Sequence, residues 1–244
     1  MAGMKISVII PAFNEEKLIA ASLRSIQQAV ASFARRGWET EIIVCDNNSS
    51  DATAALARAA GARVVFEPVN QIARARNTGA AAADGDWFVF VDADSHPTQE
   101  LFADAAAQIE SGCCLAGGCT IRMDERHLAA DCATGLWNWV SLLAKWAAGS
   151  FLFCEAKAFR EAGGFNLDLF ASEEIDLSKR LKKLARASGK KMVILRRHPL
   201  LTSARKIHLY SRVQMAVFFK NAILHPRRTI TNRDACAPWY DGRR

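Results

Sequence analysis

Apolar positions along the first hundred residues alternate between short runs and helix-spaced stripes. Ile6 to Ile10 is a short, mainly apolar run stopped by Pro11, which predicts a buried strand. From Leu18 to Phe33 the apolar and small residues fall at helical spacing, with Gly37 beyond the end. Glu41 to Cys45 reads as a second strand. Ser50 or Asp51 can cap a helix that runs to Ala60 and stops at Gly61. Arg63 to Phe66 predicts a third strand, Gln71 to Ala83 a helix, and Trp87 to Val91 a fourth strand ending in Asp92-Ala93-Asp94.

The second half is less regular. Helices are expected over Thr98 to Glu110, Leu136 to Ala148, Ala156 to Ala162 and Glu174 to Ala187, with Gly163-Gly164 closing the third. Strands are expected over Leu115 to Arg122, Phe151 to Phe153 and Met192 to Leu195. Ile207 to Leu224 has the spacing of a long amphipathic helix. Strand-helix alternation with short loops implies an α/β fold, a mainly parallel sheet with helices on both faces. Ligands of such sheets sit beyond the carboxyl ends of the strands. The polar clusters Asn14-Glu15, Asp46 to Asp51 and Asp92 to Asp94 each follow a strand directly, so all three should converge on one rim.

Composition narrows the function classes. The 244 residues suffice for one large domain, and 50% of them are hydrophobic, which is globular usage. The formal net charge of +7 suits phosphate-bearing partners or an anionic membrane surface, and the basic residues crowd the stretch from Lys179 to Arg244. No nucleic-acid recognition motif accompanies that charge. The 7 cysteines form no CxxC pair and read as buried free thiols of a reducing compartment. No apolar stretch is long enough to span a bilayer or serve as a secretory leader. A cytoplasmic protein is expected, with peripheral contact at the inner face of the membrane left open by the 207–224 helix.

Four constellations carry chemistry. Asp92-Ala93-Asp94 at a strand end can hold Mg²⁺ or Mn²⁺ together with substrate phosphates, or can be a polar turn. Asp46 can accept a base N–H, while Ser50 and Asp51 can bind at, or only cap, a helix N-terminus. Arg74 and Arg76, two apart, do not share a helix face, so one of them is expected to meet phosphates. Gly163-Gly164-Phe165-Asn166 followed by Ser172-Glu173-Glu174-Ile175-Asp176 offers a tight turn and a carboxylate able to act as general base, or an acidic helix start. A lone histidine such as His198 or His208 could complete a metal shell.

In order and spacing these pieces resemble the family 2 glycosyltransferases of the GT-A fold, over roughly Lys5 to Lys206. The resemblance rests on Val8 to Glu16, the Asp46 to Thr53 loop, Ala75-Arg76-Asn77-Thr78-Gly79, Phe90 to Asp94, Gly163-Gly164-Phe165 and Glu173 to Leu177. It implies a catalytic domain over 1–206, with 1–97 the nucleotide-binding half and 98–206 the acceptor half, and a basic extension over 207–244. It also implies an inverting single displacement in which Pro11, Ala12, Phe13, Glu15, Asp46, Asn48, Arg76, Asp92, Ala93 and Arg205 bind a nucleotide diphosphate-sugar, a UDP-sugar being favoured. Asp92 and Asp94 are the implied metal ligands, and Glu174 or Glu173 the base. The acceptor is a hydroxyl compound, lipid-linked or a glycan. Two departures stand out: Asp46-Asn47-Asn48 replaces the usual Asp-Asp-Gly, and Glu174 stands where Asp is usual. A sugar nucleotidylyltransferase and a non-catalytic nucleotide-sugar binder are the alternatives; the former normally opens with a glycine-rich basic loop, which the acidic Pro11 to Glu16 segment is not.

Overall fold

The computed structural model of the chain describes residues 3–125, 128–203, 226–236 and 240. One eight-stranded sheet runs through it in the order β3-β2-β1-β4-β7-β6-β8-β5. Its strands are β1 (Lys5–Ala12), β2 (Glu39–Asp46), β3 (Arg63–Phe66), β4 (Trp87–Val91), β5 (Ser95–His96), β6 (Cys114–Met123), β7 (Phe151–Glu155) and β8 (Lys191–Thr202). The pairs β1·β2, β1·β4, β2·β3 and β6·β8 are parallel, whereas β7 lies antiparallel between β4 and β6, and β5 antiparallel to β8. The sheet is therefore mostly parallel, as expected, with antiparallel insertions.

Period-two alternation sends the strand residues into two cores. Ile6, Val8 and Ile10 of β1 pack with α1 (Ile19–Ala29), α2 (Ala31–Ala34) and α5 (Gln99–Glu110) on one face. Ile9, Phe88 and Phe90 pack on the other face with α4 (Ile72–Ala81), α7 (Ala156–Glu161) and α8 (Glu173–Ala187). On α1 the inward stripe is Ile19, Leu23 and Ile26, as the spacing predicts. Also present are α3 (Thr53–Ala59), α6 (Leu128–Ala144), α9 (Pro226–Ile230) and a 3₁₀ turn at Asp234–Cys236.

Three boundaries differ from expectation. The helix expected over Leu18 to Phe33 is interrupted at Val30, which separates α1 from α2. The helix expected from Leu136 begins earlier and ends at Ala144. Met192 to Leu195 is only the first part of β8, which continues to Thr202 by pairing Leu200 with Ile121 and Thr202 with Met123. A register shift beyond Cys119 accommodates Pro199, which lacks an N–H for a regular ladder. Tertiary pairing thus overrides a basic, proline-containing local sequence. The helix expected over Ile207 to Leu224 lies outside the described residues. Five of the seven free thiols are buried, but Cys113 and Cys132 are exposed.

Close approach of the strands to the second half depends on β6. A Cβ on Gly118 would stand 2.6 Å from Ala147 Cβ and 2.9 Å from its Cα. Gly118→Ala is expected to destabilise the chain by about 1–3 kcal/mol in urea unfolding, because backbone has to move. Gly135→Ala, in open space on α6, should be neutral or stabilising.

Candidate active site

The carboxyl ends of β1, β2 and β4 meet at one rim. Ala12 pairs with Asp46, and the Asn47 amide donates to the Ala12 carbonyl at 2.8 Å. The two loops that follow are laced together. Asn14, in the left-handed region at φ 53°, receives the Ser50 amide on its side chain, while its own amide donates to Ser49 Oγ. The Glu15 amide donates to Thr53 Oγ1 at 2.7 Å, and the Glu16 amide to Asp51 Oδ2. Asp51 also accepts from the Thr53 amide, the first of α3, although the N-cap position of that helix is Ala52 and not the expected Ser50 or Asp51. Desolvation alone would raise the Asp51 pKa, but hydrogen bonds from Thr53 and Glu16 outweigh that and hold it below the usual carboxylate range.

Pro11, Ala12, Phe13, Glu15, Asn47, Asn70, Ile72, Asp92, Ala93, Asp94 and Tyr240 line a single cleft open to solvent. Seven residues expected at the site are thereby brought together. Asp46 is buried behind this lining, with one carboxylate oxygen taking the Ser49 amide, and its neighbour Asn47 faces the cleft instead. Asn47 is held by its amide donating to the Glu67 and Val69 carbonyls and its oxygen accepting from the Gln71 amide. Asn48 is exposed with φ 64°, so asparagine supplies there the left-handed geometry that glycine otherwise provides. Arg205 and His208 lie outside the described residues. His198 is drawn to Asp104 of α5 at 2.9 Å, not to the Asp92–Asp94 turn.

Arg76 is not a surface phosphate clamp. It is buried on α4, with Nη1 donating to Glu173 at 2.6 Å and Nη2 to Asp92 and the Gly149 carbonyl, each at 2.9 Å. Burial works against its charge, but Asp92, Glu173 and Glu174 outweigh it and keep the guanidinium ionised. Its plane lies 5.1 Å from the centre of the Phe165 ring. Phe165 is fixed in turn by Asn77, which exchanges two 2.9 Å hydrogen bonds with its backbone. Gly164, at φ 69°, passes so close that a Cβ would sit 2.7 Å from Asn77 Oδ1. The Arg76-Asn77 and Gly163-Gly164-Phe165 motifs are two halves of one contact.

Glu173 and Glu174 open α8 behind Ser172, a non-glycine residue in the left-handed region at φ 63°. Asp176, the third acid of that turn, pairs with Arg180 one turn on, which is ordinary helix support. Glu173 is buried against Arg76. Glu174 retains partial exposure, yet desolvation first, and then the neighbouring Glu173, push its carboxyl up to about 8. Asp92 and Asp94 supply two carboxylates on the cleft, and no cluster of three metal-ligating side chains occurs among the described residues. That donor set fits a hard cation that keeps water and takes phosphate oxygens, as Mg²⁺ and Mn²⁺ do. Sequence reasoning missed Asn70, Ile72 and Tyr240, none of which belongs to a motif.

Residues 7–132 match the model of a family described as glycosyl transferase family 2. An uncharacterized glycosyltransferase of Mycobacterium tuberculosis is 31% identical over 118 residues, 48% of this chain and 50% of that protein. The chain thus spans about half the length of the curated relatives it matches. A mannosyltransferase of Pyrobaculum calidifontis, solved with GDP-Man and Mn²⁺, superposes with a TM-score of 0.66 at 21% identity, covering 99% of this chain and 69% of that one. Glucosyl-3-phosphoglycerate synthase of M. tuberculosis, solved with Mn²⁺, UDP and phosphoglyceric acid, gives 0.61 at 20% identity, covering 95% and 81%. At these identities the likeness is one of fold, the mixed α/β sheet of the GT-A type. No helix among the described residues is long and apolar enough to cross a membrane.

Removing Arg76 leaves Asp92 and Glu173 without their counter-charge. Arg76→Ala should cost about 3–5 kcal/mol in chemical unfolding, and Arg76→Lys should recover little, since one ammonium cannot serve three acceptors set in a fork. The Glu174 carboxyl, raised in the folded state, binds its proton more tightly there than in the unfolded chain, so its contribution to stability is lost as pH rises from about 4.5 to about 8. Glu174→Gln escapes this loss. Its Tm should exceed that of the native chain at pH 9 and equal it at pH 4; a lower Tm at pH 9 would contradict the assignment.

Proposed function

Because the chain belongs to glycosyl transferase family 2, we propose that its cleft binds a nucleotide diphosphate-sugar, preferably a UDP-sugar, and passes the sugar to a hydroxyl acceptor with inversion. The observation that carries the reading is the Arg76 bridge from Asp92, on the cleft, to Glu173, the neighbour of Glu174. One guanidinium fixes the donor-side carboxylate relative to the base-side pair, and a single displacement depends on such fixed distances.

Pro11, Ala12, Phe13 and Glu15 hold the nucleoside, with Asp46 and Asn48 shaping the loop behind it. Asp92 and Ala93 take the diphosphate, and Asp92 with Asp94 holds Mg²⁺ or Mn²⁺. Such a cation, when bound, offsets the charge that grows on the departing nucleoside diphosphate. The Mn²⁺ in two fold neighbours supports this assignment. Arg76 acts by positioning Asp92 and Glu173. The arginine that meets phosphate is then Arg205, two residues beyond Ser203, whose amide donates to the Asp94 carbonyl at 3.2 Å.

Glu174 is the general base. It takes the acceptor hydroxyl's proton while that oxygen attacks the anomeric carbon from the face opposite the diphosphate. A carboxyl pushed up to about 8 is a stronger base than an ordinary glutamate once ionised. Glu173, committed to Arg76, is the positioning residue. On the acceptor side Trp139, 61% exposed on α6 with Leu136 and Leu143, offers an aromatic and apolar face to a glycan or lipid-linked acceptor.

A screen of nucleotide sugars with Mn²⁺ should identify a donor, and EDTA should abolish transfer. Asp94→Ala and Glu174→Gln should each lower turnover by on the order of 10² or more. In the native chain kcat/KM should rise with pH to a plateau, with its inflection no higher than about 8. Near-normal transfer by Glu174→Gln removes it as the base, and donor binding without transfer to any acceptor makes the chain a sensor.

A further inference from the structure

The C-terminal part of the chain returns to the cleft. Tyr240 lines it together with Pro11, Phe13, Asn47, Asn70 and Ile72, and is 7% exposed. Its approach is built, not incidental. The Phe170 amide donates to the Ile230 carbonyl at 2.7 Å, and Cys236, wholly buried, directs its Sγ to the Thr229 carbonyl. The Phe170 ring meets the phenol edge-on at 5.6 Å, and the Arg233 guanidinium lies 5.9 Å from its ring centre.

The phenol is therefore held by packing, and the Ile72 amide approaches its oxygen. The hydroxyl is buried, and its proton has no acceptor among the described residues. A buried hydroxyl whose proton lacks an acceptor is costly, and a ligand in the cleft that Tyr240 lines can supply one. Burial first, and Glu173 next, raise the phenol's pKa, against the approach of the Ile72 amide, so the group keeps its proton and can donate. Nucleoside diphosphates present acceptors throughout, on base, ribose and phosphates.

Resting on the nucleotide-binding reading above, we propose that Tyr240 is a donor-binding residue whose hydroxyl hydrogen-bonds the nucleoside diphosphate, and that the described residues 226–236 brace it at the donor site.

Titration calorimetry of the full chain with UDP and Mn²⁺, and with GDP and Mn²⁺, tests this. Tyr240→Phe keeps the ring and its contacts with Phe170 and Arg233 and removes a hydroxyl whose proton has no acceptor, so the Tm without ligand should not fall. Its Kd for the preferred nucleotide should rise between about twofold and tenfold, and that of Tyr240→Ala further. An unchanged Kd in Tyr240→Phe overturns the role of Tyr240 while leaving the nucleotide site standing. Absence of binding of UDP, GDP, ADP or CDP to the native chain overturns the nucleotide site itself. Hydrogen exchange on the native chain needs no variant: Asp234 to Cys236 should gain protection with UDP and Mn²⁺, and no gain refutes the bracing role.

Discussion

A charged guanidinium sealed inside the protein governs the arrangement of everything around the cleft. Taking an arginine out of water is costly, and only well-directed acceptors repay it. Arg76 obtains them from three distant parts of the chain: Asp92 after β4, Gly149 before β7, and Glu173 at the start of α8. Gly149 matters because it has no side chain; a Cβ there would lie 3.1 Å from Arg76 Nη2 and 3.4 Å from Glu174 Cδ. Below the guanidinium, Phe165 closes the apolar side, and Asn77 and the positive-φ Gly164 hold Phe165 in place. The motifs that sequence comparison treats as separate are thus one packed unit with a charge at its centre.

Much of this was legible in the sequence, because the signals involved are local. β4 was placed to the residue, since Trp87 to Val91 is a continuous apolar run bounded by charged residues. The apolar run of β1 and the helical spacing in α1 mark buried elements, and their side chains do enter the core. The convergence of three polar loops followed from a topological rule, and Glu15, Asn47 and Asp92 to Asp94 do line one cleft. The remainder depends on pairings far apart in the chain. The length of β8 is set by β6 and β5. Arg76 reads from sequence as a candidate phosphate contact, and only the fold, which brings Asp92, Gly149 and Glu173 to it, shows a buried charge. Tyr240 carries no local signal whatever.

The Asp46-Asn47-Asn48 loop shows how a departure from a family pattern can keep the backbone while changing the chemistry. At position 48 the conformation needed is left-handed, which asparagine tolerates better than most residues. At position 47 the amide donates to two carbonyls, a task no ionised carboxylate can perform. The loop has therefore exchanged a negative charge at the cleft for a rigid tie to the β3 end, through the Glu67 and Val69 carbonyls. The acidic charge facing the cleft from this side then comes from Glu15 alone among its lining residues, with Asp92 and Asp94 opposite.

Adjacent glutamates on one helix turn look equivalent in sequence, and the fold makes them different. Glu173 faces inward and meets Arg76; Glu174 keeps partial exposure and stands in the field of its neighbour. The division of labour follows from sequence offset alone, since residues i and i+1 on a helix point about 100° apart. The left-handed Ser172 sets that helix start and so decides which of the two turns inward. Glu173 also bears on the Tyr240 phenol electrostatically, as does Arg76. A change in charge at Glu173 is therefore felt both by the Glu174 carboxyl beside it and by the Tyr240 phenol, two groups far apart in the chain.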